Sequence, residues 1–223
     1  MNILIIGDVV NFEECQQKFG QGHAYTLTKH QQEAEKFFGK QDVIFDFIIE
    51  EHPDQMEVYR DHPTVIAFLN TVKVNLAQLA ATVNHQITCT LFGFPGIPTF
   101  LNREILETSL YKLDQNSRLE EVCTKLKTSF QYVEDRVGLV TPRVICMIIN
   151  EAYYTVQEGT ATREDIDLAM KLGTNYPYGP FEWAGKIGVK NVYEVLQAVY
   201  ADTKDERYKI CPLLKEEYLF HRN

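Results

Sequence analysis

The side chains that could carry out acid–base or metal chemistry are scattered along this chain rather than grouped. None of the six histidines has a carboxylate or a nucleophile at a spacing typical of a catalytic triad or a proton relay. The acidic group Glu164, Asp165 and Asp167 is typical of a helix start and a charged surface. We therefore expect solvated histidines and no metal site. The histidines are His23, His30, His52, His62, His85 and His221.

The first apolar run ends in a glycine, at the place where a dinucleotide-binding fold has its phosphate turn. Such a turn needs three glycines: for the tight turn, for close approach of the pyrophosphate, and for packing of the helix on the strand. The segment Gly7-Asp8-Val9-Val10-Asn11-Phe12 has only the first. Asp8 also places a carboxylate at the helix N-terminus, where phosphates would bind. Residues 25–29, YTLTK, lack the acidic residue that binds the adenosine ribose. We expect no cofactor here.

Short apolar runs alternate with helical patterns over the first 136 residues. Continuous runs of this length are typical of strands buried on both faces of a parallel sheet, and the segments between them predict crossover helices. The predicted strands are 3–6, 43–49, 65–69, 87–92 and 130–133, and the predicted helices are 12–19, 75–83 and one that ends at 126. This pattern predicts an α/β fold with a shortened, doubly wound and mostly parallel sheet.

From residue 137 onwards the pattern is helical throughout. Ile145, Ile149 and Val156 mark one long helix, with Thr141 and Pro142 as its cap and first-turn residue. Further apolar stripes predict helices near 192–199 and 213–219. We therefore divide the chain into an α/β domain, 1–136, and an all-α domain, 137–223, with no flexible linker between them.

Composition limits the compartment and the partners. The hydrophobic content of 45% excludes a disordered chain, and the opening MNILIIG is too short for a signal peptide or a membrane span, which predicts a cytoplasmic protein. A formal charge of −9 disfavours nucleic acid and anionic membranes as partners. The cysteines are odd in number, widely spaced and free of C-x-x-C pairs, so we expect buried, reduced thiols. They are Cys15, Cys89, Cys123, Cys146 and Cys211.

The most informative segment is residues 158–183, EGTATREDIDLAMKLGTNYPYGPFEW. Thr162 with Asp165 predicts a helix that begins with a capping-box-like pair. An apolar stripe of Ile166, Ala169 and Met170 follows, and Gly173 is predicted to end the helix. Pro177, Gly179 and Pro180 then predict a rigid turn that carries four aromatic side chains, which we expect to be buried. These are Tyr176, Tyr178, Phe181 and Trp183.

This segment resembles the C-terminal helical domain of the 3-hydroxyacyl-CoA dehydrogenase family, whose members carry an EG-x-A-x-x-x-DID-x-A-x-x-x-G-x-x-x-P-x-GP-F run after a long helix. The resemblance is strong over roughly 138–200. Over the N-terminal part it holds only in outline, because the Rossmann-like domain is shortened and degenerate. Residues 31–39 are too few for the long helical excursion that the family has there. The resemblance implies hydride transfer between NAD and C3 of a 3-hydroxyacyl thioester.

The resemblance also implies four catalytic positions, and all four are changed. The family's S-N-T-S motif corresponds to residues 69–72, LNTV, so that Asn70 and Thr71 are retained and the serine position holds Val72. The G-x-H-F-F-N-P motif corresponds to residues 89–95, CTLFGFP, which puts Leu91 at the position of the histidine base. Leucine cannot accept a proton, and a general base contributes about a hundredfold to ten-thousandfold in rate.

The other two catalytic positions lie further along the chain. The glutamate that orients the base falls on Arg103, or on Glu104 if the alignment shifts by one residue. The substrate asparagine falls on Pro142 within DRVGLVTPR, residues 135–143.

Three functions stay open at this point. The chain is a family member without catalysis or NAD binding that binds acyl-CoA or a protein partner in fatty-acid or aromatic-acid degradation, an active dehydrogenase with a nonstandard site, or a structural partner without a small ligand. The resemblance implies a homodimer through the helical domain. Candidate substrate or dimer residues are Asn70, Thr71, Tyr176, Pro177, Gly179, Pro180, Phe181 and Trp183.

Overall fold

The computed structural model describes residues 1–220, which form two compact units. Unit 1 comprises Met1–Leu139 and unit 2 comprises Val140–Asn223. The division lies three residues after the boundary that the sequence pattern places at 136/137.

Unit 1 is built on a seven-stranded sheet with the order β2-β1-β3-β4-β5-β6-β7. Strands β1 to β5 are parallel, β6 runs antiparallel to β5, and β7 is parallel to β6. The mostly parallel α/β architecture predicted from the apolar runs is therefore confirmed. The strands are β1 Asn2–Ile6, β2 Ala24–Thr28, β3 Val43–Asp46, β4 Ile66–Asn70, β5 Thr90–Phe94, β6 Ile105–Leu110 and β7 Ser129–Tyr132.

Helices cover both faces of this sheet, as expected for strands whose side chains are apolar on both sides. They are α1 Val9–Phe19, α2 Gln31–Ala34, α3 Leu76–Ala80 and α4 Asn116–Leu126. Two apolar clusters form the core, one containing Ile5, Phe45 and Leu119, the other containing Leu4, Ile44 and Leu91. Between β2 and β3 the chain has only the four-residue α2 and a 3-10 turn, Glu35–Phe37, so the segment is short, as predicted.

Three strand predictions need correction. The strand predicted at 43–49 ends at Asp46. The strand predicted at 87–92 is observed at Thr90–Phe94, because residues 87–89 still belong to the connection that enters the sheet. Strand β6, with the sequence ILETSL, has no counterpart in the prediction. Its centre is polar, yet Glu107, Thr108 and Ser109 are buried, so that the strand shows no continuous apolar run.

Unit 2 is helical, as predicted, with α5 Thr141–Gln157, α6 Arg163–Thr174, α7 Pro180–Ile187, α8 Val189–Thr203 and α9 Pro212–Phe220. Thr141 is the first residue of α5, and Val140 takes the cap position that was assigned to Thr141. Thr162 caps α6 by accepting a hydrogen bond from the Asp165 amide, which confirms the predicted helix start.

The end of α6 differs from the prediction. The helix continues past Gly173 and ends at Asn175, which adopts the left-handed conformation with φ 54°. Asparagine reaches this region at low cost because its short polar side chain is tolerated there. In the predicted apolar stripe, Ala169 is exposed, and only Ile166 and Met170 are half-buried.

Candidate functional site

The sheet has a topological switch point between β1 and β3, because the chain moves to one side of β1 for β2 and to the other for β3. Ligands of doubly wound folds bind at the carboxyl ends of the strands that flank such a point. In this chain the residues there are Gly7 and Asp8, after β1, and Phe47, after β3.

The turn after β1 is occupied by its own side chains. The Asp8 carboxylate accepts a hydrogen bond from the Asn11 amide at 3.0 Å, and the Asn11 side-chain oxygen accepts from the Asp8 amide at 2.9 Å. Together they form a capping box on α1. A Cβ on Gly7 would lie 2.4 Å from that Asn11 oxygen, so the glycine serves a close contact within the turn.

These residues do not fit a pyrophosphate. The amides that a phosphate would use already donate to Asp8 and Asn11. A carboxylate about 4 Å from a phosphate oxygen would add up to about 4 kcal/mol of repulsion at an effective dielectric of 20, and less for an exposed group such as Asp8.

Asp46, at the end of β3, is a buried carboxylate that was not predicted from the sequence. Asp46 is fully buried and accepts hydrogen bonds from the Tyr59 hydroxyl at 2.8 Å, from the Gln31 amide at 3.2 Å and from the Ile48 backbone at 3.0 Å. Burial raises the pKa of Asp46 to about 6, against the lowering effect of these hydrogen bonds. One signal could have revealed it, namely a charged residue inside a run predicted to be buried on both faces.

A buried ion pair lies close to the same edge. Lys73 Nζ is 3.2 Å from Glu50, and the Lys73 backbone amide donates to the other Glu50 oxygen at 3.0 Å. The side chains are 14% and 2% exposed, and burial raises the pKa of Glu50 although Lys73 opposes that shift. The two residues are 23 positions apart, so no local sequence pattern indicates the pair.

The retained Asn70 ties three strand ends together. Its side-chain amide donates to the Phe47 carbonyl after β3 at 3.1 Å, and its side-chain oxygen accepts from the Gly96 amide after β5 at 3.0 Å. Asn70 is 2% exposed, and a Cβ on Gly96 would lie only 2.7 Å from it. Both functional groups of the asparagine are therefore used inside the fold.

Thr71 and its neighbours form a buried polar group next to Asn70. Thr71 is fully buried, and its hydroxyl lies across Gly93 from the Ser109 hydroxyl: a Cβ on Gly93 would lie within 2.4 Å of both oxygens. Ser109 donates to Asp135 at 3.3 Å, and Asp135 also accepts from the amides of Leu76 and Ala77 at the start of α3.

The structure places the four predicted catalytic positions in different elements. Leu91 lies at the start of β5 in the apolar cluster that contains Leu4 and Ile44, and its carbonyl accepts from Tyr111. Val72 follows β4 and is fully buried. Arg103 and the exposed Glu104 precede β6, at the opposite end of that strand from Tyr111. Pro142 belongs to the first turn of α5 in unit 2.

In unit 2 the segment that contains Pro177, Gly179 and Pro180 is hydrogen-bonded to Asp167 of α6. Asp167 accepts hydrogen bonds from the amides of Phe181 and Glu182 at 2.8 and 3.0 Å and so caps the start of α7. Glu182 returns a capping contact to the Gly179 amide at 3.0 Å. A Cβ on Gly179 would lie 2.3 Å from the Asp167 carboxyl group, so only glycine fits here.

The aromatic residues of this segment are partly exposed, which corrects the expectation that all four are buried. Trp183 is buried, and Tyr176 and Tyr178 pack against it with ring centroids 5.5 and 6.2 Å away. Tyr178 is 38% exposed, and Pro177 is exposed too. The turn is also shorter than predicted, because Pro180 begins α7 and places Phe181 and Trp183 in that helix.

The structure also bears on metal binding, on the cysteines and on membrane-spanning helices. Within residues 1–220, no group of three or more His, Cys, Asp or Glu side chains has an arrangement that could hold a metal ion. His221 lies outside the described residues. All five cysteines are free, and all are buried as predicted. None of the helices described is both long enough and apolar enough to cross a membrane.

Comparison with known proteins identifies the family of the C-terminal domain. Residues 138–222 match the family model described as 3-hydroxyacyl-CoA dehydrogenase, C-terminal domain. A probable 3-hydroxybutyryl-CoA dehydrogenase of Bacillus subtilis is 28% identical over 181 residues, which are 78% of this chain and 63% of that protein. Residues 138–222 therefore form a C-terminal domain of the 3-hydroxyacyl-CoA dehydrogenase family. This confirms the resemblance seen in the sequence.

Other relatives show where the similarity is concentrated. A 3-hydroxyadipyl-CoA dehydrogenase of Escherichia coli K12 is 41% identical over 93 residues, which are 42% of this chain and 19% of that protein. The chain thus spans less than two thirds of the length of these two relatives.

Solved structures share the fold of this chain. FadB2 of M. tuberculosis superposes with a TM-score of 0.76 at 16% identity, covering 99% of this chain and 94% of that one. (S)-3-hydroxybutyryl-CoA dehydrogenase PaaH1 of Ralstonia eutropha gives 0.71 at 18% identity with the same coverage.

Proposed function

We propose that this member of the 3-hydroxyacyl-CoA dehydrogenase family takes part in acyl-CoA metabolism without catalysing the redox step, and that it binds an acyl-CoA or a protein partner as a homodimer. The observation that carries the proposal is the capping box of Asp8 and Asn11, which fills the turn where the pyrophosphate of NAD would bind. Leu91 adds to it, because an apolar core residue stands at the family position of the general base.

Calorimetric titration with NAD and NADH, beside acetoacetyl-CoA and longer acyl-CoAs, tests the proposal. We expect no binding of NAD or NADH at sub-millimolar concentration and no NADH formation from 3-hydroxyacyl-CoA above background. Micromolar NAD affinity, or turnover within a hundredfold of an ordinary dehydrogenase, would instead establish an active enzyme with a nonstandard site.

A thermal-shift panel with the same compounds separates acyl-CoA binding from a role without a small ligand. A ligand at a hundredfold excess over its dissociation constant stabilises the folded state by about 2.7 kcal/mol, so even weak acyl-CoA binding would be visible. No shift with any acyl-CoA would leave protein partners as the remaining function.

The homodimer proposal is supported by the outer face of α6. None of its residues is buried, and Leu168 and Leu172 are 54% and 78% exposed. Neighbouring exposed leucines on one helix are typical of a surface that another chain covers. We expect a symmetric interface that buries more than about 1,200 Å² in total.

Light scattering on the purified chain at micromolar concentration tests the dimer. Leu172→Lys should give a folded monomer, since the side chain is exposed and its loss opens no cavity. Leu113→Lys is the matched control, because Leu113 is 76% exposed but lies in unit 1, and it should remain a dimer. A monomeric parent chain would refute the dimer.

A further inference from the structure

A cleft of about 420 Å³ lies in unit 1, away from the switch point. It is lined by Lys18, Asn102, Arg103, Glu104, Lys127, Thr128 and Ser129. Its volume lies within the range of about 300–1,000 Å³ that is typical of small-ligand sites. Lys18 is ten residues after Asp8, and an α-helix rises 1.5 Å per residue, so the cleft is about 15 Å along α1 from the filled phosphate turn. It is therefore a separate site.

The loop that carries Arg103 is held rigidly on α1. Gln17 accepts from the Asn102 side chain at 3.0 Å, and Lys18 Nζ donates to the carbonyls of residues 103 and 104. Two side chains of α1 thus hold the loop, so Arg103 starts from a defined backbone position.

The same loop contains an unfavourable backbone conformation. Thr99 has φ 78°, a region that β-branched residues rarely adopt. Its carbonyl accepts from Arg103 Nε at 3.3 Å, while the guanidinium lies over the Phe100 ring at 4.5 Å. Backbone strain of this kind persists only where surrounding contacts impose it, and it is common at binding sites. In this loop it orients the arginine.

Positive side chains outnumber negative ones in the lining of the cleft. Burial lowers the pKa of Lys18 and of Arg103, and Glu107, which is not part of the lining, opposes that shift at Arg103. Lys127 adds a third positive charge, and the exposed Glu104 is the single acidic residue of the lining. A protein with a net charge of −9 therefore gathers three cations around one cavity.

We propose that this cleft binds a phosphate group. The arginine fork and the two ammonium groups match the geometry and the charge of a phosphate dianion. Lys18 and Lys127 also lie at the C-terminal ends of α1 and α4, where cations favour the helix dipole. That role does not explain Arg103, which belongs to no helix and is half-buried. The group is carried either by free phosphate or by a nucleotide.

Titration of the full chain with inorganic phosphate, followed by calorimetry, tests the site. Binding should weaken about tenfold in Lys127→Asn, since each charge-assisted hydrogen bond contributes on that scale. Asparagine tolerates the left-handed conformation of Lys127, which has φ 57°. Arg103→Gln should weaken binding similarly. Glu104→Gln should strengthen it, because repulsion at the rim is removed.

Two controls make the result decisive. Lys36→Gln removes an exposed lysine far from the lining and should leave phosphate affinity unchanged. Acetate should bind more weakly than phosphate, and adenosine monophosphate in place of phosphate separates a nucleotide site from a free-phosphate site. No phosphate binding at millimolar concentration, or equal weakening in Lys36→Gln and Lys127→Asn, would overturn the proposal. Neither result bears on NAD binding at the Asp8 turn.

Discussion

Replacing Asn70 with alanine separates a structural role of this retained residue from a role in ligand binding. The substitution removes the donor to the Phe47 carbonyl and the acceptor of the Gly96 amide. Both backbone groups are bonded to the side chain of Asn70, and Asn70 is only 2% exposed. Leaving a buried polar group unpaired costs about 1–3 kcal/mol. Allowing for partial relaxation, we expect a loss of about 2–4 kcal/mol in the free energy of unfolding.

Urea unfolding followed by circular dichroism measures this loss. With a slope of about 2 kcal/mol per molar urea, the midpoint should fall by about 1–2 M at an unchanged slope. Asn84→Ala is the matched control, because Asn84 is exposed, and its midpoint should remain within the error of the parent chain. A loss below about 0.5 kcal/mol in Asn70→Ala, together with weaker acyl-CoA binding, would refute the structural role and return Asn70 to the ligand site.

Three further substitutions test the other buried groups. Burial raises the folded-state pKa of Asp46 from 3.8 to about 6, so protonation of this carboxyl group favours the folded state. The contribution to the free energy of unfolding is up to about 3 kcal/mol. It is complete below about pH 4 and is lost as the pH rises towards 6. Asp46→Asn should remove that part of the pH dependence, and identical pH profiles of unfolding for both proteins would contradict it. Asp167→Ala should lower stability by about 1–2 kcal/mol by uncapping α7, and the fluorescence of the single tryptophan, Trp183, reports the change; an unshifted transition would show that the cap contributes little. Leu91→His should destabilise the protein by more than about 2 kcal/mol and restore no dehydrogenase activity, since it places a polar ring in the apolar core; a stable, NAD-dependent variant would disprove this.

The sequence predicts the sheet best where the burial of apolar side chains alone defines a strand. Strands β1, β3 and β4 are buried on both faces, so apolar runs identify them even though the run of β3 contains Asp46. Strand β6 is not predicted, because Glu107, Thr108 and Ser109 are polar residues whose burial depends on tertiary contacts and not on a local sequence pattern. The end of α6 is misplaced by two residues because Asn175, rather than Gly173, takes the left-handed position.

The candidate site is less predictable than the fold, because its contacts join distant parts of the chain. The phosphate turn is local, so the sequence predicts its missing glycines and the carboxylate of Asp8, although not the capping box that Asp8 forms with Asn11 three residues away. The pair of Glu50 and Lys73 spans 23 residues, and the contact of Lys18 with the Arg103 carbonyl spans 85. Only the three-dimensional structure reveals such pairs.

The retained family residues and the replaced ones differ in the kind of contact they make. Asn70 holds strand ends together, and Gly179 admits the Asp167 cap, so both are needed by a folded chain whether or not it catalyses a reaction. Val72 and Leu91 are fully buried apolar side chains at positions where the resemblance to the family predicts polar catalytic groups. A catalytic group that loses its function leaves a buried polar atom to be satisfied, and an apolar replacement removes that penalty. Loss of chemistry with retention of packing therefore accounts for both sets of residues by a single cause, which is why we favour the noncatalytic function over an active site in another place.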